Sequence, residues 1–169
     1  INSAVLNRYN YKDVRLSGTL ARQKADFKLD INDPNISLAL NGTGDLSGKF
    51  PAVNVTANID SIKTMPLGFT PEAIAYSGNI NANFPSTDPA NLEGVLLVTR
   101  SALTIKDQRY ALDTIALTSG KTDTGRFVRL HSDVVNFAHT GIYNLTELGS
   151  VFQQAIQPYY ALTQKKKKV

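Results

Sequence analysis

Two histidines and one aspartate are the residues best placed by type to do chemistry. His131 and Asp133 share one parity of an extended stretch, and His139 joins them if the chain stays extended. Imidazole nitrogens beside a carboxylate are what a divalent metal or a general base with an orienting acid would use. A metal centre normally recruits three or four ligands, and a base needs its partner within hydrogen-bond reach. So sparse a set reads better as the polar side of a surface strand, and no metal or catalytic role is expected for His131 or His139. The chain has no cysteine, which excludes disulfides, thiolate metal sites and a cysteine nucleophile.

The run Gly42-Thr43-Gly44-Asp45-Leu46-Ser47-Gly48 has the look of a phosphate-cradling loop. Its third glycine falls one residue late, and no helical pattern follows to supply an N-terminus for the phosphate. It reads as a flexible turn between strands. The P-loop, the nucleophile elbow and the zinc-protease helix motif are absent. Asn-x-Ser/Thr sequons begin at Asn35, Asn41, Asn54 and Asn144, but Asn54 lies mid-strand, a poor place for a glycan. The expectation is a protein that is not an enzyme and has no cofactor.

Charge points the same way. The 18 basic and 14 acidic residues leave a formal charge of +4, and Lys165, Lys166, Lys167 and Lys168 supply all of it. The folded body is therefore neutral, without the basic stripe and interleaved aromatics of a nucleic-acid surface. The lysine run reads as a solvated linker, with a polybasic membrane-surface segment as the alternative. No apolar run approaches the length of a membrane-spanning helix.

The elements that would position any site are strands, because side chains alternate with period two. Val14, Leu16, Gly18 and Leu20 share a parity, as do Ala25, Phe27, Leu29 and Ile31. Asp33-Pro34-Asn35 is a turn by composition, and Ile36, Leu38 and Leu40 follow, so 25–42 reads as a hairpin. Val53, Val55, Ala57 and Ile59 make the next strand; Ile74, Tyr76, Gly78, Ile80, Ala82 and Phe84 make a longer one. Residues 86–91 read as a loop, and Leu92–Val98 is apolar on both parities, as a doubly covered or bulged strand would be. Strands are further expected at 102–106, 109–118, 126–135 and 135–143, with a bulge where parity switches between Val134 and Val135. Glycines recur beside the alternating segments at Gly18, Gly42, Gly78, Gly94 and Gly141, where they can mark bends or bulges.

One segment departs from this pattern. Leu145, Leu148, Val151, Phe152, Ala155, Ile156 and Tyr159 recur at helical spacing, Asn144 and Glu147 suit a capping box, and Pro158 supplies a stop. This predicts an amphipathic helix at about 145–157, packed on the sheet through Leu145, Leu148, Phe152 and Ile156. The whole reads as a mainly β fold: a curled, antiparallel-rich sheet, open trough or sandwich-like, with one C-terminal helix. Residues 1–160 form a single β-rich domain and 161–169 a basic tail, and the chain reads as an excerpt of a larger protein.

The pattern Asp33-Pro34-Asn35, Ser37-Leu38-Ala39-Leu40-Asn41-Gly42 and Asp45-Leu46-Ser47 resembles segments of the TamB family of bacterial envelope proteins. So does the stretch Leu130-His131-Ser132-Asp133, Thr140-Gly141-Ile142-Tyr143 and Pro158-Tyr159-Tyr160. The resemblance covers about residues 11–160 and rests on short motifs of common strand and turn residues. It implies a periplasmic segment of a protein anchored in the inner membrane, its sheet curled into a hydrophobic groove. The implied role is outer-membrane biogenesis, through assembly of outer-membrane β-barrel proteins, lipid transport along the groove, or both. The expected partners are a β-barrel assembly partner or phospholipid acyl chains and the rest of the same polypeptide, with no nucleic acid and a monomeric chain.

The groove lining is expected from Phe27, Leu29, Ile31, Ile36, Leu38, Leu40, Val53, Val55, Ile59, Ile80 and Phe84, the apolar parity of the alternating strands. The same residues would serve equally as the core of a closed β-sandwich, a structural or adhesive module of a bacterial surface protein. That alternative would confine binding to loops at 61–73, 85–91 and 119–126.

Overall fold

The computed structural model describes residues 3–133 and 135–141, and every regular element in that span is a strand. A first hairpin comprises β1 (Ser3–Leu6) and β2 (Tyr9–Lys12). Then follow β3 (Val14–Ala21), β4 (Lys24–Asp33), β5 (Ile36–Asp45), β6 (Ala52–Lys63) and β7 (Ile74–Ser86). The last four are β8 (Glu93–Ile105), β9 (Gln108–Thr122), β10 (Gly125–Ser132) and β11 (Asn136–Gly141). From β3 to β11 each strand pairs antiparallel with its sequence neighbour, giving one nine-stranded meander with β3 and β11 as its outermost described strands, beside the two-stranded β1–β2 sheet. The expected helix at about 145–157, with Leu145, Leu148, Phe152 and Ile156, lies outside the described residues.

Tight turns explain the meander. Asn7-Arg8, Arg22-Gln23 and Lys106-Asp107 each join two directly paired residues, with φ of 52° and 66°, 49° and 65°, and 48° and 66°. Positive φ at both central positions is the type I′ geometry, whose twist matches that of the flanking strands. None of the three turns contains glycine, so the usual sequence signal for them was missing.

Several boundaries differ from the sequence expectation. Residues 93–98 and 102–105 of the two expected strands belong to one strand, β8, interrupted by a bulge. The loop expected at 119–126 shrinks to Asp123-Thr124, between the paired residues Thr122 and Gly125. The parity switch at 134–135 is a chain reversal and not a bulge: Ser132 N–H donates to Val135 O (2.9 Å), and Val135 N–H donates to Ser132 Oγ (3.0 Å). Gly42, Gly44 and Asp45 belong to β5, so the glycine-rich run is turn only beyond Asp45.

Two bulges keep the apolar side chains on one face. On β6, Ile59 pairs with Leu38 and Gly78 while Ile62 pairs with Ile36 and Tyr76, so β6 carries one extra residue between them. On β8, Thr99 pairs with Asn79 and Ala102 with Ser77, leaving Arg100 and Ser101 opposite Gly78. Arg100 has φ of 50°, and a Cβ on Gly78 would meet the Ser101 Cα at 3.1 Å. Each extra residue reverses parity, which returns Ile62 and Leu103 to the face of Ile59 and Val98.

The polar side chains at these bulges are bonded across the opposite face. Ser37 Oγ donates to Asp60 Oδ2 (3.0 Å), and Asn58 Nδ2 donates to Asp60 Oδ1 (3.2 Å). With its amide nitrogen turned toward Asn58 Oδ1 (2.6 Å), Asn79 accepts from Arg100 Nη2 (2.5 Å) and Nε (3.0 Å). The network spans β5 to β8 and holds both bulges in register.

The buried cluster of large side chains lies at one end of the sheet, and Val128 on β10, 2% exposed, is buried apart from it. Tyr11 from β2, Ile36 from β5 and Leu67 from the 64–73 loop form the buried cluster, with Tyr9, Val14, Ile31, Leu38 and Ile62 packed around it. Leu67 is fully enclosed, a burial worth roughly 1.5–3 kcal/mol. The β1–β2 hairpin and this loop thus roof the apolar face where β4, β5 and β6 meet it.

Candidate functional site: the apolar sheet face

Cross-strand register builds the site. Leu16, Leu29, Leu40, Ala57, Ile80, Val98 and Ile115 are successive partners from β3 to β9. A second row runs Gly18, Phe27, Gly42, Val55, Ala82, Leu96, Leu117, Leu130 and Phe137, across all nine strands. Directly opposed side chains lie about 4.5–5.5 Å apart at Cβ, so each row is a continuous apolar strip. The Phe27 ring lies across Gly42; a Cβ there would sit 2.2 Å from Phe27 Cζ. Only glycine leaves room for the ring to lie flat along the strip.

All eleven lining residues expected from sequence occupy this face, but they divide in two. Phe27, Leu29, Leu40, Val53, Val55, Ile80 and Phe84 are half-buried, with no described element above them. Ile36 is a member of the roofed cluster, and Ile31 and Leu38 pack against it, so these three belong to a closed core and not to an open lining. Ile59, at the β6 bulge, is buried. Sequence reasoning missed the half of the face that comes from β8 to β10: Leu96, Val98, Ile115, Leu117 and Leu130. On β8 the signal was masked, because Val95 and Leu97 on the other face are apolar too.

Over β5 to β7 the opposite face is polar and rich in amides. Thr43, Asn54 and Asn83 are consecutive partners in one row, Asn41, Thr56 and Asn81 in the next, and Asn58 pairs with Asn79. Over these strands the sheet is therefore two-sided in character, with one strongly apolar side.

The histidines do not assemble. His139 pairs with Val128 and shares its face, whereas His131 pairs with Ala116 and points to the other side. His131 Nδ1 lies against Asn136 Oδ1, and Asp133 Oδ2 accepts from the Asp113 backbone amide (3.2 Å). Among the described residues no group of three His, Cys, Asp or Glu side chains is arranged to hold a metal.

Among the described residues, the carboxylate with the most hydrogen bonds sits under the roof. Asp33, 5% exposed, accepts from the Tyr9 hydroxyl (2.5 Å), the Lys12 amide (2.9 Å) and the Asn35 amide (2.9 Å). Burial pushes its carboxyl up, but the Tyr9 hydrogen bond, the two backbone donors and the Lys12 charge outweigh this and hold it below the usual carboxylate value. The same hydrogen bond to Asp33 is the main cause raising the Tyr9 phenol above its ordinary value. This cluster ties the β1–β2 hairpin to the β4–β5 turn. It secures the roof.

No protein-family model, curated protein or solved structure matches this chain.

Proposed function

We propose that this chain is a non-catalytic periplasmic segment of a TamB-like envelope protein, serving outer-membrane biogenesis by carrying phospholipid acyl chains along a curled apolar sheet. The observation that carries the reading is the apolar face: two strips cross seven and nine strands in register, and the described roof covers only the Tyr11–Ile36–Leu67 end. A globular core would bring a second layer over such a face. An acyl chain does the same job, gaining roughly 0.8 kcal/mol per methylene removed from water, so about ten methylenes suffice for micromolar affinity. The bulges on β6 and β8 supply the bends that curl a sheet into a trough. In the full-length protein, anchored in the inner membrane, neighbouring segments extend the trough beyond β11, and a β-barrel assembly partner is the alternative client of the same face.

The test is mass spectrometry of organic extracts from the purified chain beside an identically expressed control. Phospholipid at near-stoichiometric amount is expected. Leu40→Asp and Val55→Asp, placed in the uncovered centre of the strips, should abolish it while the circular dichroism spectrum stays that of a β protein. A clean extract from the folded wild-type chain would sink the reading.

A further inference from the structure

We propose that β3 is a dimerisation edge, through which two copies of this chain pair antiparallel about Gly18 into one continuous sheet. Among the described residues nothing pairs with the outer edge of β3, and every residue from Arg15 to Ala21 is exposed. Leu16 and Leu20 are 67% and 70% exposed, among the highest values for large apolar side chains in the described chain. Edge strands are normally blunted by charge, proline or a covering element. Here Leu16-Ser17-Gly18-Thr19-Leu20-Ala21 carries neither charge nor proline.

The register follows from the backbone. Asn32 N–H donates to Asp13 O (3.2 Å), and Ala21 and Lys24 close a two-residue turn. Both facts assign the odd-numbered residues of β3 to the hydrogen-bonded pairs with β4. Leu16, Gly18 and Leu20 therefore direct their N–H and C=O groups outward, free to bond a new strand. An antiparallel copy with its two-fold axis between the two Gly18 residues sets Leu16 opposite Leu20 of the other copy, and the reverse. On the polar side Ser17 meets Thr19, so no like charges confront each other. An axis perpendicular to the sheet leaves both apolar faces on the same side, and the strips run on from one copy into the next. The interface is narrow, so the dimer should be weak, with a dissociation constant on the order of 10–100 µM. The inference does not depend on what the apolar face carries.

Sedimentation velocity from about 10 µM to about 500 µM should show a monomer of 18.4 kDa giving way to a species of twice that mass. Leu16→Lys with Leu20→Lys sets lysines against each other across the two-fold axis and should leave a monomer at every concentration, with the β spectrum unchanged. Val5→Lys with Leu6→Lys, on the exposed β1, should leave the dimer intact. Because the chain has no cysteine, Ser17→Cys with Thr19→Cys gives a register-specific check: oxidation should yield a covalent dimer. A wild-type monomer throughout would overturn the proposal. So would a dimer that survives the β3 lysines or is lost with the β1 lysines, or open-ended oligomers, which would mean β3 pairing with β11.

Discussion

Asp33 shows how one side chain organises a whole end of this molecule. Its carboxylate accepts from a side chain and two backbone amides drawn from three places in the sequence, so Asp33→Ala strands several donors at once. A loss of about 2–3 kcal/mol in urea unfolding is expected. Its carboxyl is depressed in the folded state, so its contribution is complete above the ordinary carboxylate value. That contribution fades as pH falls through the depressed folded value. Tyr9 works in the opposite sense: its raised phenol favours folding below its ordinary value and is lost as pH rises through the folded one. Stability followed against pH should therefore fall at both extremes, and Tyr9→Phe should remove the alkaline limb. Ser101 is the counter-case, 3% exposed with its hydroxyl unpartnered among the described residues. Ser101→Ala should be neutral or stabilise by up to about 1 kcal/mol in the same assay, because a buried hydroxyl without a partner carries a desolvation cost.

Among the elements, the type I′ turns are the places where local preference and observed geometry disagree. Arg22 and Gln23 both occupy left-handed φ, at a cost of roughly 1–2 kcal/mol per residue. The pairing of β3 with β4 on either side holds them there. Replacing the pair with Asn-Gly should stabilise the chain by about 1 kcal/mol, read as a higher midpoint in chemical unfolding with an unchanged slope. A lower midpoint would mean that the arginine or glutamine side chain makes an interaction that outweighs the backbone strain. The bulges behave differently. Arg100 also has a left-handed φ, but its guanidinium bonds to Asn79, so side chain and backbone conformation support each other.

For the molecule as a whole, the meander makes stability local. Each described strand is laddered only to its sequence neighbours, and the cluster around Tyr11, Ile36 and Leu67 joins β2 to β6 and the 64–73 loop. Hydrogen exchange should therefore be slowest in β4, β5 and β6 and progressively faster toward β10 and β11, where β11 is exposed over nearly its whole length. Uniform protection across the nine strands would contradict this and indicate a second stabilising layer over the far half of the sheet.

The sequence by itself determined that the chain is mainly β and antiparallel, and it located the β4–β5 hairpin and the apolar parity of β3 to β7. Alternation is a local property of the chain, and Asp33-Pro34-Asn35 signals its turn through local backbone preference. Tertiary structure decided the rest. The bulges on β6 and β8 depend on which residues face each other across strands, so no window of sequence reveals that Ile62 and Leu103 return to the apolar face. The type I′ turns lack glycine, and pairing, not propensity, imposes them. The half of the candidate site on β4 to β7 was legible as a set of apolar residues, because within each strand they share a parity; the half on β8 to β10 was not. Which of them are closed off and which lie open was not legible. Ile36 and Phe27 carry the same alternation signal, and only the position of Tyr11 and Leu67 above the sheet makes one a core residue and the other part of an uncovered strip. Burial by a distant segment is a property of the folded chain, and period-two alternation contains no information about it.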